Sequence, residues 1–472
     1  MPTPTWSPSS WRSLAAPQQP EYPDADAAAR CLDRLRELPP LVSSYEIERL
    51  RELLAEAAEG RRFLLQGGDC AERFVDCRSP LIAAKLKMLL RMGLVLSESG
   101  GREPILVGRI AGQYAKPRSA ATETRDGVTL PSYRGDLVNH EEFSPAARVA
   151  DPQLLLRGHA CSAMTLNFIR ALLDGGFGDP DHPEWWSLEE SERAKGGSRP
   201  LQAYETLVAA RRAQVDGEPA AERPSFFTSH EGVVLAAEEA QTRQVPRRSG
   251  WWNLSTHFPW IGVRTLDPDG GHVAYFSGIS NPIAIKVGPE LSPATLVELI
   301  ERLDPRRTPG RLTLVHRLGA AAVERLLPPL VAAAEGTGRR VLWAVDPMHG
   351  NTRVARVANA EGVVEEVRTR RFEEILEEIE ASFAVHRRIG SILGGVHLEL
   401  TGEDVTECLG GSSGLAESDL LRAYGSAVDP RLNDVQSLEL AFRVASAIRD
   451  AAPAAIHAGD RNRTCMGCPT GT

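Results

Sequence analysis

Short apolar runs alternate with helical stretches along most of this chain, and that alternation restricts its fold more than any other feature. The runs span 62–66, 105–109, 225–229, 272–276, 284–287, 312–316, 341–345 and 395–400. Each has the length and character of a buried strand. Between them, apolar residues recur at helical spacing near 80–98, 145–175, 293–303, 319–336, 371–388 and 434–450. A β-then-α alternation favours a parallel sheet with helices packed outside it. Eight strands suit a closed (β/α)8 barrel. Two further amphipathic helices are expected ahead of the barrel, near 26–38 and 44–59. Leu32, Leu35 and Leu38 share a face of the first, and Ile47, Leu50, Leu53 and Leu54 a face of the second.

This pattern divides the chain. Residues 1–60 read as an N-terminal extension with helices. Residues 61–452 read as the barrel, and 453–472 as a flexible polar tail. The stretch 176–224 is rich in Gly, Pro and charge, and is expected to be an excursion outside the core. A length of 472 residues would ordinarily allow about three domains, but a barrel of this kind runs as one.

Composition narrows the function classes. Hydrophobic residues make up 42 % and charged residues 25 %, as in globular proteins, so the chain is neither disordered nor fibrous. A net charge of −9 argues against a general nucleic-acid binder, yet leaves room for a local basic pocket that takes a small anion. No apolar run reaches the roughly 18 residues of a membrane span. Seven cysteines, an odd and sparse set, do not form a secreted disulfide framework, and no apolar leader is visible, so a cytoplasmic location is expected.

The chemistry is expected at the strand ends. LLQGGDC ends on Asp69 and Cys70, ILVGR on Arg109, and LTLVHR on Arg317. IAIKVG carries Lys286, LWAVDPMH reaches Asp346 and His349, and GVHLEL carries His397 and Glu399. In a parallel barrel these ends converge on one face. Two groups stand out there. Arg109, Lys116, Arg118, Arg264, Lys286 and Arg317 are cationic, and imply an anionic ligand. Within GRIAGQYAKPRS, Gly112 permits a tight turn, and Pro117 stiffens a segment presenting Lys116, Arg118 and Ser119; this suits a phosphate clamp, while a KPR taken by itself suits a solvated surface loop better. The second group is Cys70, His349, Glu399 and Asp429, a donor set suited to a divalent transition ion. Each of the four also has a plainer use. Cys70 can fill a core, His349 can cap a loop, Glu399 can pair with His397 or an arginine, and Asp429 can cap the last helix.

The motifs LLQGGDCAE, GRIAGQYAKPRS, SYRGD, TSHE, WIGxRT, NPxxxKVGP, GRLTLVxRLG, WxxDPMHGNT, GGxHLExTGxxVTECLGG, DPRLN and QSLELAF occur in this order. Together they resemble the class II, plant-type 3-deoxy-D-arabino-heptulosonate 7-phosphate (DAHP) synthases, from about Trp6 to about Ala447. The resemblance implies an α/β fold, a (β/α)8 TIM barrel with extra N-terminal helices. It implies condensation of phosphoenolpyruvate with erythrose 4-phosphate, the first step of the shikimate pathway, for primary or secondary metabolism. It places metal ligands on Cys70, His349, Glu399 and Asp429, for Mn2+ or Co2+ ahead of Fe2+ or Zn2+. It places phosphoenolpyruvate contacts on Arg109, Arg264, Lys286 and Arg317, and aldose-phosphate contacts on Lys116, Arg118 and Ser119. Lys286, Arg109 and His349 are its catalytic candidates, and Glu231 or Lys286 could help with protons. It also implies a homo-oligomer.

Three residues depart from the family pattern W-[IV]-G-E-R-T-R-Q. Val263 replaces a carboxylate, Leu266 an arginine and Asp267 a glutamine, all beside Arg264. They leave open a different phosphorylated aldose, such as an amino sugar, or a catalytically impaired regulatory paralogue. Val428 stands where the family often has a cysteine able to pair with Cys70. Cys465 and Cys468 form a lone CxxC in the tail.

Overall fold

The computed structural model describes residues 6–186, 198–214, 225–358, 362 and 364–451. Cys465, Cys468 and most of the tail lie outside the described residues. Eight strands form one parallel sheet: β1 (Arg62–Gly68), β2 (Glu103–Arg109), β3 (Phe226–Thr228), β4 (Trp260–Ile261), β5 (Ile283–Val287), β6 (Leu312–His316), β7 (Leu342–Val345) and β8 (Leu393–Glu399). Their order is β3-β2-β1-β8-β7-β6-β5-β4. Every strand therefore pairs with its sequence neighbours except β3 with β4, which form the two edges, and β1 lies beside β8.

The regular ladder stops between β3 and β4. There the sheet curls so that its edges are joined by a single bridge, Glu231 with Trp260. Three backbone hydrogen bonds run across the same seam: Phe258 N to Thr228 O (3.1 Å), Trp260 N to His230 O (3.0 Å) and Gly232 N to Trp260 O (3.0 Å). The structure is thus an eight-stranded curled parallel sheet, and the fully closed ladder expected from the sequence is incomplete at this seam.

The helices follow the expected scheme. α1 (Ala25–Glu37) is capped by Asp24, whose Oδ1 accepts from Ala27 N at 2.8 Å. α2 (Ser44–Ala58) starts with a reciprocal Ser43–Glu46 capping box. Such a cap contributes about 1 kcal/mol. Behind the strands come α3 (Ser79–Gly100), α4 (Gln153–Asp174), α5 (Arg199–Gln214), α6 (Gly271–Gly278), α7 (Pro293–Leu303), α8 (Val323–Gly336), α9 (Phe372–Ile389) and α10 (Asp434–Ala451).

Two cores result from the pleat of the strands. Phe63 and Leu65 pack outward with the surrounding helices. Leu64, between them, packs inward with Ile105, Val107, Phe227, Trp260 and Val315, and these meet Leu50, Leu53, Leu54 and Ala57 of α2. α2 therefore covers the end of the sheet where the strands begin. Each buried leucine there stabilises by about 1.5–3 kcal/mol. The opposite end, where the strands finish, is left open.

Three expectations need correction. Residues 272–276 are not a strand but the middle of α6, in which His272, Val273, Tyr275 and Phe276 are all buried. A helix that is apolar all round carries no 3.6-residue period, so its sequence mimics a buried strand. The eighth strand is instead Trp260–Ile261, too short between Pro259 and Gly262 to show a period. Part of the 176–224 stretch is packed structure: α5 buries Leu201, Tyr204 and Val208, and the fully buried Arg91 of α3 donates to Trp186 O at 2.5 Å. Among the described residues, no helix is long and apolar enough to cross a membrane.

Candidate active site

All eight strands deliver residues to one cavity of about 480 Å3 at their C-terminal ends, or to the cluster beneath it. Arg109, Lys116, Arg118, Ser119, Glu231, Arg264, Lys286 and Arg317 all line it, with Asp346, His349, His397 and Asp429. Every residue that the sequence nominated for substrate binding thus lies on one wall or another of a single space. Cys70 and Glu399 lie beneath, both buried.

Local geometry explains the delivery. At the end of β1, Gly68 has φ +147°, and a Cβ there would lie 2.6 Å from the Arg109 carbonyl oxygen. Only glycine lets β1 run beside Arg109 and turn into Asp69 and Cys70. Arg431 donates to Asp69 Oδ1 at 2.8 Å, and Lys85 forms an ion pair with the same carboxylate. Beyond β2 the backbone is strained: Ala111 has φ 61°. The buried carboxylate of Glu72 holds this turn by accepting the N–H groups of Ala111 (3.1 Å), Gly112 (2.9 Å) and Gln113 (2.9 Å). The turn sets the direction of the following Lys116–Ser119 segment. Gln18 grips that segment from the N-terminal extension, accepting from Arg118 N and donating to Arg118 O, each at 3.1 Å.

The four donors of Cys70, His349, Glu399 and Asp429 lie within 4.8 Å of one another. A thiol, an imidazole and two carboxylates at that separation fit a divalent transition ion. Asp346 orients the histidine. Its Oδ1 accepts the N–H groups of Met348 (3.0 Å) and His349 (3.2 Å), and its Oδ2 accepts from His349 Nδ1 at 2.7 Å. That leaves His349 Nε2 facing Glu399 Oε1 at 3.1 Å. An outer carboxylate that fixes the histidine tautomer is a recurrent feature of metal sites. Burial pushes Asp346 up, but His349 and Lys286 more than offset it and keep the group ionised.

The remaining donors are held by cations. Glu399 receives Arg109 (3.1 Å) and Arg370 (2.8 Å), and Asp429 receives Arg368 (2.8 Å). Lys116 Nζ lies 2.6 Å from Cys70 Sγ and 2.7 Å from Asp429 Oδ2. Burial raises the Asp429 pKa, yet Lys116, His349 and Arg370 together outweigh it and the carboxyl stays well below its usual range. Burial and the neighbouring Glu399 keep the Cys70 thiol well above its own. The helix-cap reading of Asp429 fails, because Asn433 caps α10 by accepting from Gln436 N at 3.0 Å. The pairing of Glu399 with arginine is real, and coexists with its place in the four-donor cluster.

A directional hydrogen-bond chain fixes Arg109. Ser229 Oγ donates to Gly108 O (3.1 Å), Gln66 Nε2 donates to Ser229 Oγ (3.0 Å), and Gln66 Oε1 accepts from His397 Nδ1 (2.8 Å). His397 Nε2 is then an acceptor for Arg109 Nη1 at 2.8 Å. Burial, reinforced by Lys286 and Arg109, pushes His397 well below its ordinary value, so it stays neutral. The guanidinium also stacks 5.3 Å from the Trp260 ring centre. Arg109 Nε and Arg317 Nε are buried donors with no partner among the described residues, as expected of groups that await an anion.

Two groups here have shifted protonation. Burial, with Arg109 nearby, pushes Lys286 down to about 8 against the pull of its partner Asp346. Burial pushes the Glu231 carboxyl up against the pull of Lys116 and Lys286, and its Oε1 has no hydrogen-bond partner among the described residues. A Cβ on Gly262 would lie 1.9 Å from that oxygen, so Gly262 makes room for the carboxylate.

Of the three departures near Arg264, Val263 alone faces the cavity. Leu266 packs on the hydrophobic core, and Asp267 caps a turn by accepting from Asp269 N at 3.0 Å. Arg264 itself donates to Ser119 Oγ at 2.6 Å. The sequence reading missed Arg368 and Arg370. Both belong to or follow the hairpin Arg353–Ala358 with Val364–Thr369, whose alternating exposed charges look like solvated surface.

The class-II DAHP synthetase family model matches residues 6–445. The chain belongs to the class II DAHP synthetase family. Relatives from this family of enzymes agree. The chain is similar to a phospho-2-dehydro-3-deoxyheptonate aldolase of Streptomyces coelicolor, 46 % identical over 93 % of this chain and 97 % of the relative. It is 42 % identical to one from Neurospora crassa, over 94 % and 95 % of the two chains. It is also 42 % identical to the phospho-2-dehydro-3-deoxyheptonate aldolase AroG of Mycolicibacterium smegmatis, over 93 % and 94 %. The class II match spans all eight strands and every candidate residue named above.

Proposed function

We propose that this chain condenses phosphoenolpyruvate with erythrose 4-phosphate to give DAHP and inorganic phosphate. The observation that carries this reading is the meeting, in one cavity, of a four-donor cluster with several cations around it. Cys70, His349, Glu399 and Asp429 would hold a divalent ion, with Mn2+ or Co2+ preferred. Such an ion supplies Lewis acidity toward an aldehyde oxygen.

The chain's own residues do the rest. Phosphoenolpyruvate carries a carboxylate and a phosphate, which Arg109, Arg264, Lys286 and Arg317 bind and orient. Lys116, Arg118 and Ser119 take the phosphate of the sugar. Holding both substrates lets C3 of the enol reach the aldehyde carbon, and such alignment is worth several kcal/mol of barrier. Water then adds at C2 and phosphate leaves. Glu231 and Lys286, each shifted toward neutrality, are the groups placed to hold or give the protons.

A second reading, another phosphorylated aldose as acceptor, rests on Val263 alone, since Leu266 and Asp267 face elsewhere. An impaired paralogue is disfavoured, because the four donors and four phosphoenolpyruvate cations are all retained in type.

A phosphate-release assay with phosphoenolpyruvate, Mn2+ and a panel of aldose phosphates tests these readings. Turnover with erythrose 4-phosphate, abolished by EDTA and restored by Mn2+, is expected. Turnover with another aldose alone selects the second reading, and Val263→Glu should then shift preference back. No turnover with any aldehyde sinks the enzymatic proposal.

A further inference from the structure

Lys116 makes contacts that substrate binding does not explain. Its ammonium is 2.6 Å from Cys70 Sγ, 2.7 Å from Asp429 Oδ2 and 4.0 Å from Glu399 Oε1. It therefore stands among three of the four donors of the cluster. A divalent ion bound there would need donor distances of about 2.0–2.3 Å, so the ammonium and the ion would claim the same small volume. Two cations cannot share it. Meanwhile the backbone of Lys116 is fixed: its N–H donates to Arg134 O at 2.9 Å, and Pro117 follows it. Only the flexible side chain can move, and it borders the same cavity as Arg118 and Ser119.

Resting on the metal-site reading above, we propose that Lys116 is an internal counter-ion of the metal cluster. It holds the converging carboxylates of Glu399 and Asp429 together beside the Cys70 thiol before metal arrives. The incoming ion displaces it into the cavity, where its ammonium joins Arg118 and Ser119. Metal loading thereby completes the subsite for the sugar phosphate, and the two binding events are coupled through one side chain. Arginine would serve poorly here, because its broad planar fork cannot replace a compact point charge among such close donors.

The test compares the full-length wild type with Lys116→Met and Lys116→Gln. Co2+ binding is followed through the cobalt–thiolate absorption of Cys70. Loss of a competing cation should tighten Co2+ binding at least tenfold in both variants. In the wild type, acetylation of Lys116 measured by mass spectrometry should speed up at least fivefold on adding Zn2+, relative to Lys87 as internal reference. Unchanged or weaker Co2+ binding by folded variants would overturn the proposal, since a merely structural lysine gives that sign. Should neither variant fold, the acetylation rates of the wild type decide alone, and rates unmoved by Zn2+ overturn it. Absence of a cobalt–thiolate band in the wild type would refute the metal-site reading itself, and this inference with it.

Discussion

Asp346 shows how one side chain governs a site that it does not itself complete. Its two oxygens accept two backbone N–H groups and the His349 imidazole, and they also take Lys286. Asp346→Asn keeps the shape but lacks the charge, so His349 loses its tautomer-fixing acceptor. Mn2+ affinity, measured by calorimetry, is expected to fall 10- to 100-fold, the usual cost of losing such a partner. Affinity equal to wild type would show that the Cys70, Glu399 and Asp429 donors suffice to orient the ion. The candidate donors were legible in the sequence because thiol, imidazole and carboxylates at strand ends are rare companions. Their partners were not legible. Arg368 and Arg370 sit in a run of charges that looks solvated, and Glu72 acts only through backbone N–H groups that no sequence pattern displays.

At the scale of elements, the reading succeeded where a segment keeps a clear period and failed where it does not. Helices α1, α2, α7 and α9 carry polar and apolar faces, and their expected bounds fall within a few residues of those observed. α6 is buried on all sides, so its apolar run was taken for a strand, while β4 is too short to carry any signal. The N-terminal extension looks irregular in sequence, yet it does positional work. Gln18 makes two hydrogen bonds to Arg118, and Gln19 accepts from Leu235 N at 2.9 Å and donates to Val233 O at 2.8 Å. Each such bond contributes about 1 kcal/mol net. Gln18→Ala should therefore loosen the Lys116–Ser119 segment without unfolding the chain. The expected result is a roughly tenfold rise in KM for the aldose phosphate, with KM for phosphoenolpyruvate nearly unchanged. A parallel rise in both constants would place the effect on the whole cavity instead of that segment.

For the whole molecule, the same burial that shapes the site sets an acid limit on stability. Burial pushes His316 down to about 3, with His386 adding to the effect, and pushes His272 and His386 each to about 4. These folded-state values lie below the unfolded value of about 6.5. Their neutral forms thus favour the folded chain above pH 6.5, and that stability is lost as pH falls toward 4 and 3. Near pH 5 the loss is on the order of 2 kcal/mol per histidine. Glu378 works in the opposite sense: burial pushes it up to about 7, so its contribution grows as pH falls from 7 toward the unfolded carboxylate value. Three histidines outweigh one carboxyl, and urea midpoints should fall between pH 7.5 and pH 5. His316 is the cleanest place to test the cause. It is fully buried beside Trp343 and His386, and neither ring nitrogen has a hydrogen-bond partner among the described residues. An apolar side chain of similar size loses no bond there, so His316→Leu should leave stability at pH 8 unchanged or higher. Its dependence of unfolding free energy on pH near 5 should be shallower by close to one proton per molecule. A variant that keeps the wild-type slope would assign the acid limit to other groups.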